Sequence, residues 1–206
     1  NGLLVAKRNI PPFVATLGTM GAVRGLTYVL TNAYPVSGLP KGIDFIGRGY
    51  VGPIPVPIII MLVVYVLAYI VAEHTRVGRF IFAIGGNEEA AHLSGIKIDK
   101  YRIFAYMTSG GLAALSGIIL VSRLASGQPN AGLNYEFEAI TSAVVGGTSL
   151  SGGKGTILGV LFGALFISIL LNGMVLLNIS SYYQQMLKGI VLILAVMVDV
   201  ARNKGH

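Results

Sequence analysis

Three long stretches without a single Asp, Glu, Lys or Arg constrain this chain more than anything else in it: residues 49–72, 103–122 and 155–187. At a rise of about 1.5 Å per residue, each is long enough to cross a hydrocarbon core of ~30 Å as a helix. A helix also satisfies its own backbone polar groups, which lipid cannot do. Composition agrees: 54% of the 206 residues are hydrophobic and 11% are charged, where a soluble domain carries roughly 25% charged residues. The expected fold is all-α, a polytopic transmembrane helical bundle surrounded by membrane lipid.

The charges that remain orient the bundle. The net charge is +7, but Lys and Arg gather in short clusters between apolar runs. That pattern orients membrane helices and argues against a nucleic-acid surface. Arg76, Arg79, Lys97, Lys100 and Arg102 crowd one loop, while Arg202 and Lys204 lie in the tail; the positive-inside rule makes both cytoplasmic. Lys7 and Arg8 then lie inside as well. Spans are expected near residues 11–30, 58–73, 103–122, 156–177 and 184–198, with a Gly- and Pro-rich outer loop at 31–57. Lys41, Arg48, Arg123 and Lys188 are left on or near the outer side. Cysteine is absent, so no disulfide or thiolate metal site is available.

One piece does not fit a simple up-and-down path. Residues 135–145 read as a helix, with Asn134 as N-cap and Glu136 and Glu138 in the first turn, where acids suit the helix dipole. Gly146-Gly147 stops it. It is too short to span, yet a cytoplasmic tail requires it to carry the chain inward. A half-helix followed by glycines can do so only where protein or water surrounds the exposed backbone.

After it comes SLSGGKGT, residues 149–156, which has the look of a phosphate loop. Three features reject that reading. The loop pattern G-x-x-x-x-G-K-[ST] needs a hydroxyl after Lys, and Gly155 stands there; it needs Gly five before Gly153, and Thr148 stands there. It also needs a preceding strand in a soluble α/β domain and an acidic cluster nearby in the sequence for Mg²⁺, and neither is found. These glycines are expected to turn the backbone, and Lys154 to mark the cytoplasmic boundary. Gly155, Gly159 and Gly163, spaced by four, should let a neighbouring helix approach closely, as should Gly21 with Gly25 and Gly110 with Ala114.

The polar loop at residues 75–102 is the most informative segment. Asn87 can cap a helix that starts with Glu88 and Glu89 and continues through Ala90, Ala91, His92 and Leu93. Gly95 after Ser94 suits a left-handed stop, with Ile96 folding back. A two-turn helix is marginal alone. Small alanines and acids at its start shape it to enter a groove on another protein; a plain connector is the alternative.

EEAAHLSGI, residues 88–96, resembles the EAA loop of ABC importer permeases. AIGGNEEAAHLSGI (83–96), IPPFVATLGTM (10–20) and AVVGGTSLSGGKGT (143–156) resemble the monosaccharide, ribose-type permeases, which are related to branched-chain amino acid permeases. Order and separation agree along nearly the whole chain. The resemblance implies one permease domain over residues 1–206, the C-terminal two-thirds of a longer permease, which agrees with an opening, Asn1 to Ala6, that reads as the end of an earlier helix. Gly86, Asn87, Glu88, Glu89, Ala90, Ala91, His92, Leu93, Ser94 and Gly95 would form the ATPase-coupling segment. The implied partners are a separate ATP-binding-cassette ATPase subunit, an extracytoplasmic sugar-binding protein and a second permease subunit, in a bacterial inner membrane. ATP and Mg would act on the ATPase, with no cofactor bound by this chain.

A sugar path needs hydrogen-bonding groups inside the bundle. Arg24 stands out, because a cation near mid-span costs about 2.5–3.5 kcal/mol on insertion scales. Thr108, Ser109, Thr141, Ser142 and Asn172 are further candidates, although such hydroxyls often bond their own helix. Lys41, Asp44 and Arg48 are candidate contacts for the binding protein, with ordinary solvated charges as the alternative. Tyr182 and Tyr183 suit an interfacial belt, and Asp199 a local pair with Arg202. No catalytic or metal constellation forms: His74, His92 and His206 all lie in or beside cytoplasmic segments, which leaves an intramembrane hydrolase without its machinery. An ion-coupled secondary transporter or channel is the remaining alternative, but it leaves the capped loop helix without a purpose.

Overall fold

The computed structural model describes residues 1–40 and 42–203, with the backbone alone for the last two. Lys41, Lys204, His206 and the side chain of Arg202 therefore lie outside the described residues. Five described helices are long and apolar enough to cross a membrane: Pro12–Thr31, Val56–His74, Ile98–Leu124, Ile157–Leu176 and Ser181–Ala201. These are the five spans expected from the sequence. The protein is an all-α, polytopic membrane protein, and its outward faces carry large apolar side chains such as Phe13, Val66, Phe162 and Ile193.

The chain divides into two units, Asn1–Val66 with Lys97–Gly132, and Leu67–Ile96 with the chain from Leu133 onward. The first unit contains α1 (Gly2–Arg8), α2 (Pro12–Thr31), α3 (Asp44–Arg48), a hairpin of β1 (Tyr50–Val51) and β2 (Ile54–Pro55), most of α4 (Val56–Tyr69), and α7 (Ile98–Leu124). Pro sits at the start of α2, where its missing N–H costs nothing, and Asn32 ends that helix in the left-handed conformation. Gly52, at φ 60°, supplies the positive φ wanted by the two-residue hairpin turn. α1 lies against α7 so closely that a Cβ on Gly2 would sit 3.1 Å from the Ile103 Cα.

The expected outer loop, residues 31–57, thus contains a short helix and a hairpin, and one hydroxyl organises its middle. Ser122 on α7 is fully buried. Its Oγ accepts from the Gly47 N–H at 2.7 Å and donates to the Ile43 carbonyl at 2.7 Å. Gly47 has no side chain because a Cβ there would meet Ser122 Oγ at 2.6 Å. Val36 and Gly127 exchange two backbone bonds of 2.9 Å, and Tyr28 donates to Asn130 Oδ1 at 2.8 Å. α7 begins at Ile98, five residues before the expected span start, because Asp99 suits its first turn. Gly21, Gly25 and Gly110 have nothing within 4 Å of a would-be Cβ. The seams expected of them have no close neighbour among the described residues.

The second unit contains the end of α4, a π-helical turn at Ile70–His74, α5 (Arg76–Gly86), α6 (Glu88–Leu93), α8 (Tyr135–Val145), α9 (Ile157–Leu176) and α10 (Ser181–Asn203). Thr75 ends the π turn and starts α5 at once: its hydroxyl donates to the Val71 carbonyl at 2.6 Å and accepts from the Gly78 N–H at 3.3 Å. Gly159 and Gly163 on α9 meet the backbone of α8; a Cβ on Gly163 would lie 2.8 Å from the Gly146 nitrogen. Here the small-residue seam is occupied, and it seats the short helix. α8 is about 16 Å long, half a hydrocarbon core.

Asn134 corrects one expectation. It precedes α8, but its backbone is left-handed, φ 67°, and its side chain makes no capping bond. A side-chain cap needs the extended backbone that aims the oxygen at the next turn. The start of α8 is secured elsewhere, by Glu138.

Candidate coupling segment and translocation residues

α6 is built by the residues that bound it. Asn87, extended at φ −155°, accepts the Ala90 N–H on Oδ1 at 2.9 Å. At the other end Gly95 takes φ 79°; its N–H donates to the His92 carbonyl at 2.9 Å, and the Ile96 N–H to the Ala91 carbonyl at 3.1 Å. That pair of bonds is a complete Schellman stop. Ser94 adds a side-chain bond to the Ala90 carbonyl at 2.8 Å. Glu88 and Glu89 stand in the first turn and His92 in the last, the polarity that complements the helix dipole. Ala91 is buried, while Leu93 is 81% exposed. A rigid two-turn helix therefore presents an apolar tip and an acidic start, outside every candidate span.

The segment is anchored by glycines that the sequence reading did not connect. Gly85 and Gly86, the last two residues of α5, meet Gly152 and Gly153 of SLSGGKGT backbone to backbone. A Cβ on Gly85 would lie 2.5 Å from the Gly153 nitrogen, and one on Gly153 2.6 Å from the Gly86 Cα. Gly152 and Gly153 take φ 90° and 72°, so these glycines are needed both for conformation and for contact. The loop is closed by the Ser149 N–H donating to the Lys154 carbonyl at 3.0 Å. Asp199 on α10 holds it from the other side: Oδ2 accepts the Leu150 N–H at 3.0 Å and the Ser149 hydroxyl at 3.3 Å. The expected pairing of Asp199 with Arg202 falls on a side chain outside the described residues.

Deeper in the same unit, Lys188 of α10 forms an ion pair with Glu138 of α8, both side chains about one-quarter exposed. The two border a cavity of about 10 Å³, room for one water, completed by Thr141, Ile167, Leu171 and Val191. Sequence reading assigned Glu138 to the helix dipole and left Lys188 as an outlying charge. The signal available was a lone Lys ending a long uncharged run, which needs a counter-ion.

The candidate path residues separate by environment. Thr141 and Ser142 are buried, and Thr141 donates to the Phe137 carbonyl at 2.6 Å. Asn172 is exposed on α9 and does not line the cavity. Arg24 is half-buried on α2. Thr108 and Ser109 are exposed on α7, with Thr108 bonded to the Phe104 carbonyl of its own helix at 2.9 Å. Asp44 is exposed at the start of α3. Arg48 donates to the Arg123 carbonyl at 3.1 and 2.9 Å, which satisfies a carbonyl at the end of α7.

Apolar spans joined by a capped loop helix and a half-helix with a glycine stop make this a polytopic membrane protein. The family model described as "Branched-chain amino acid transport system / permease component" matches residues 1–196, and the chain belongs to that family. It is 50% identical over 201 residues to ribose import permease protein RbsC of Bacillus subtilis, covering 97% of this chain and 62% of that protein. The RbsC of Haemophilus influenzae is 49% identical over 203 residues, 97% of this chain and 63% of that protein. The D-allose transport system permease protein AlsC of Escherichia coli is 38% identical over 200 residues, 97% of this chain and 61% of that protein. The chain thus spans about three-fifths of the length of these relatives. No solved structure matches it.

Proposed function

We propose that this chain is the transmembrane permease subunit of an ATP-binding-cassette importer that carries a monosaccharide such as ribose into the cell. In this reading α6 is the coupling helix. It docks on a separate ATPase subunit, which binds ATP and Mg, and ATPase closure drives alternating access. A second permease subunit completes the path, and an extracytoplasmic sugar-binding protein delivers the sugar. The loop bearing α6 and the chain's tail face the cytoplasm. The observation that carries the reading is α6 itself: a helix too short to persist alone, capped at both ends and projecting an exposed Leu93. The relatives named for ribose and D-allose supply the substrate class. The carboxylate at the interior cavity, Glu138, is already neutralised by Lys188, which weighs against an ion-coupled carrier.

The test is gentle-detergent purification of the full-length permease from its own membranes, with mass spectrometry of what accompanies it. An ATPase subunit should come down with the natural protein. Glu89→Arg reverses a first-turn charge, and Gly95→Pro cannot take φ 79° and loses the N–H given to His92. Both should leave membrane insertion intact and release the ATPase. A permease that brings down no ATPase, from membranes that still take up ribose, would move the assignment to an ion-coupled carrier.

A further inference from the structure

The SLSGGKGT loop binds no nucleotide by its pattern, yet more of the second unit converges on it than turning the chain requires. On one side its Gly152 and Gly153 lie against Gly85 and Gly86 with no side chain between. Only Asn87, whose N–H donates to the Ala83 carbonyl at 3.0 Å, separates that contact from the first residue of α6. On another side Asp199 ties the loop to α10 through Ser149 and Leu150. On the third it continues directly into α8: the Gly147 N–H donates to the Val144 carbonyl at 2.9 Å and the Thr148 N–H to the Ala143 carbonyl at 2.9 Å. The loop is itself stiff, closed by the Ser149 to Lys154 bond and braced by the Gly152 N–H on the Ser149 carbonyl at 3.2 Å.

We infer that the Gly85–Gly86 contact with Gly152–Gly153 is the joint through which displacement of α6 is passed to the half-helix α8, with Gly85 as its positioning residue. This rests on the docking role proposed for α6. A contact between side chains can absorb a small shift by changing rotamer, whereas touching backbones have no such slack and must move together. The joint also gives the glycines of SLSGGKGT a task in transport: they let the loop approach α5 closely enough to follow it.

Two helical glycines test this. Gly85 at the end of α5 and Gly173 on α9 both lack a positive φ, so alanine suits either backbone. A Cβ on Gly85 strikes the Gly153 nitrogen, while one on Gly173 meets nothing within 4 Å. Each variant would be made in the full-length permease, assembled with its own ATPase subunit in membrane vesicles and supplied with binding protein and ribose. Gly85→Ala should still bring down the ATPase and hydrolyse ATP but lose ribose uptake by about tenfold. Gly173→Ala should stay within about twofold of the natural protein. Equal uptake by Gly85→Ala, an equal loss in both variants, or loss of ATPase capture by Gly85→Ala would overturn the joint while leaving the docking role standing. A natural protein without an ATPase would overturn both.

Should Gly85→Ala fail to accumulate, hydrogen exchange in the natural complex reads the same link. A non-hydrolysable ATP analogue should change protection at the amides of residues 149–153 together with residues 88–95. A change confined to 88–95 would end the proposal.

Discussion

α6 and α8 are both short helices that stop at a left-handed glycine, and both close with the same pair of backbone bonds, at Gly95 and Ile96 in one and at Gly147 and Thr148 in the other. What holds them differs. α6 is secured by its own neighbours in sequence: Asn87 at one end, Gly95 at the other, and Ser94 back on Ala90. α8 has no side-chain cap. It is secured by residues far along the chain, Lys188 on Glu138 and Gly159 and Gly163 beneath Gly146. A short helix that is exposed has few neighbours to hold it, so its order is local. A half-helix at membrane depth cannot satisfy itself and borrows its order from the helices around it.

That contrast can be broken most forcefully at Gly163. Gly163→Leu drives a side chain into the α8 backbone, and overpacking of this kind is expected to cost about 3 kcal/mol. Thermal unfolding in detergent should show the loss, while hydrogen exchange at the α6 amides stays as in the natural protein. A matching collapse of α6 protection would mean that its order is not local after all.

A smaller effect is expected from the ion pair. Removing one partner by Glu138→Ala or Lys188→Ala leaves a charge in a setting between surface and interior, at a cost of about 2 kcal/mol. The double variant Glu138→Lys with Lys188→Glu should recover more than half of it. Recovery absent from the swap would show that the two side chains matter separately.

The smallest expected change is Asn87→Ala. Loss of the cap should cost about 1 kcal/mol, confined to α6 and read as faster exchange at the Ala90 amide, with the melting temperature of the whole unaltered. A fall in global stability would instead make Asn87 part of the packed unit.

The five spans were legible because each is one continuous run whose hydropathy needs no partner to be recognised, and the half-helix because two acids and two glycines bound it. The capped loop helix was legible for the same reason. Four outcomes were not. Ser122 reads as a membrane serine among others until Gly47 and the Ile43 carbonyl arrive beside it. Gly21 with Gly25 has the same spacing as Gly159 with Gly163, yet among the described residues only the second pair meets a neighbour. Asp199 reads as a boundary charge, and its acceptance of the Leu150 amide links positions 49 residues apart. Lys188 and Glu138 are separated by 50 residues.

The sequence by itself determined what is local: which segments are long and apolar enough to cross a membrane, where a helix must start or stop, and which loop carries a helix capped by its own neighbours. These follow from rise per residue, the cost of an unsatisfied backbone group in lipid, and the φ that only glycine takes freely. The tertiary structure alone decided which glycines meet another backbone, which charges neutralise one another, and that SLSGGKGT lies between the loop helix and the half-helix. Spacing along a chain fixes the face of a helix on which a residue lies. Which other element comes to that face depends on how the whole chain packs.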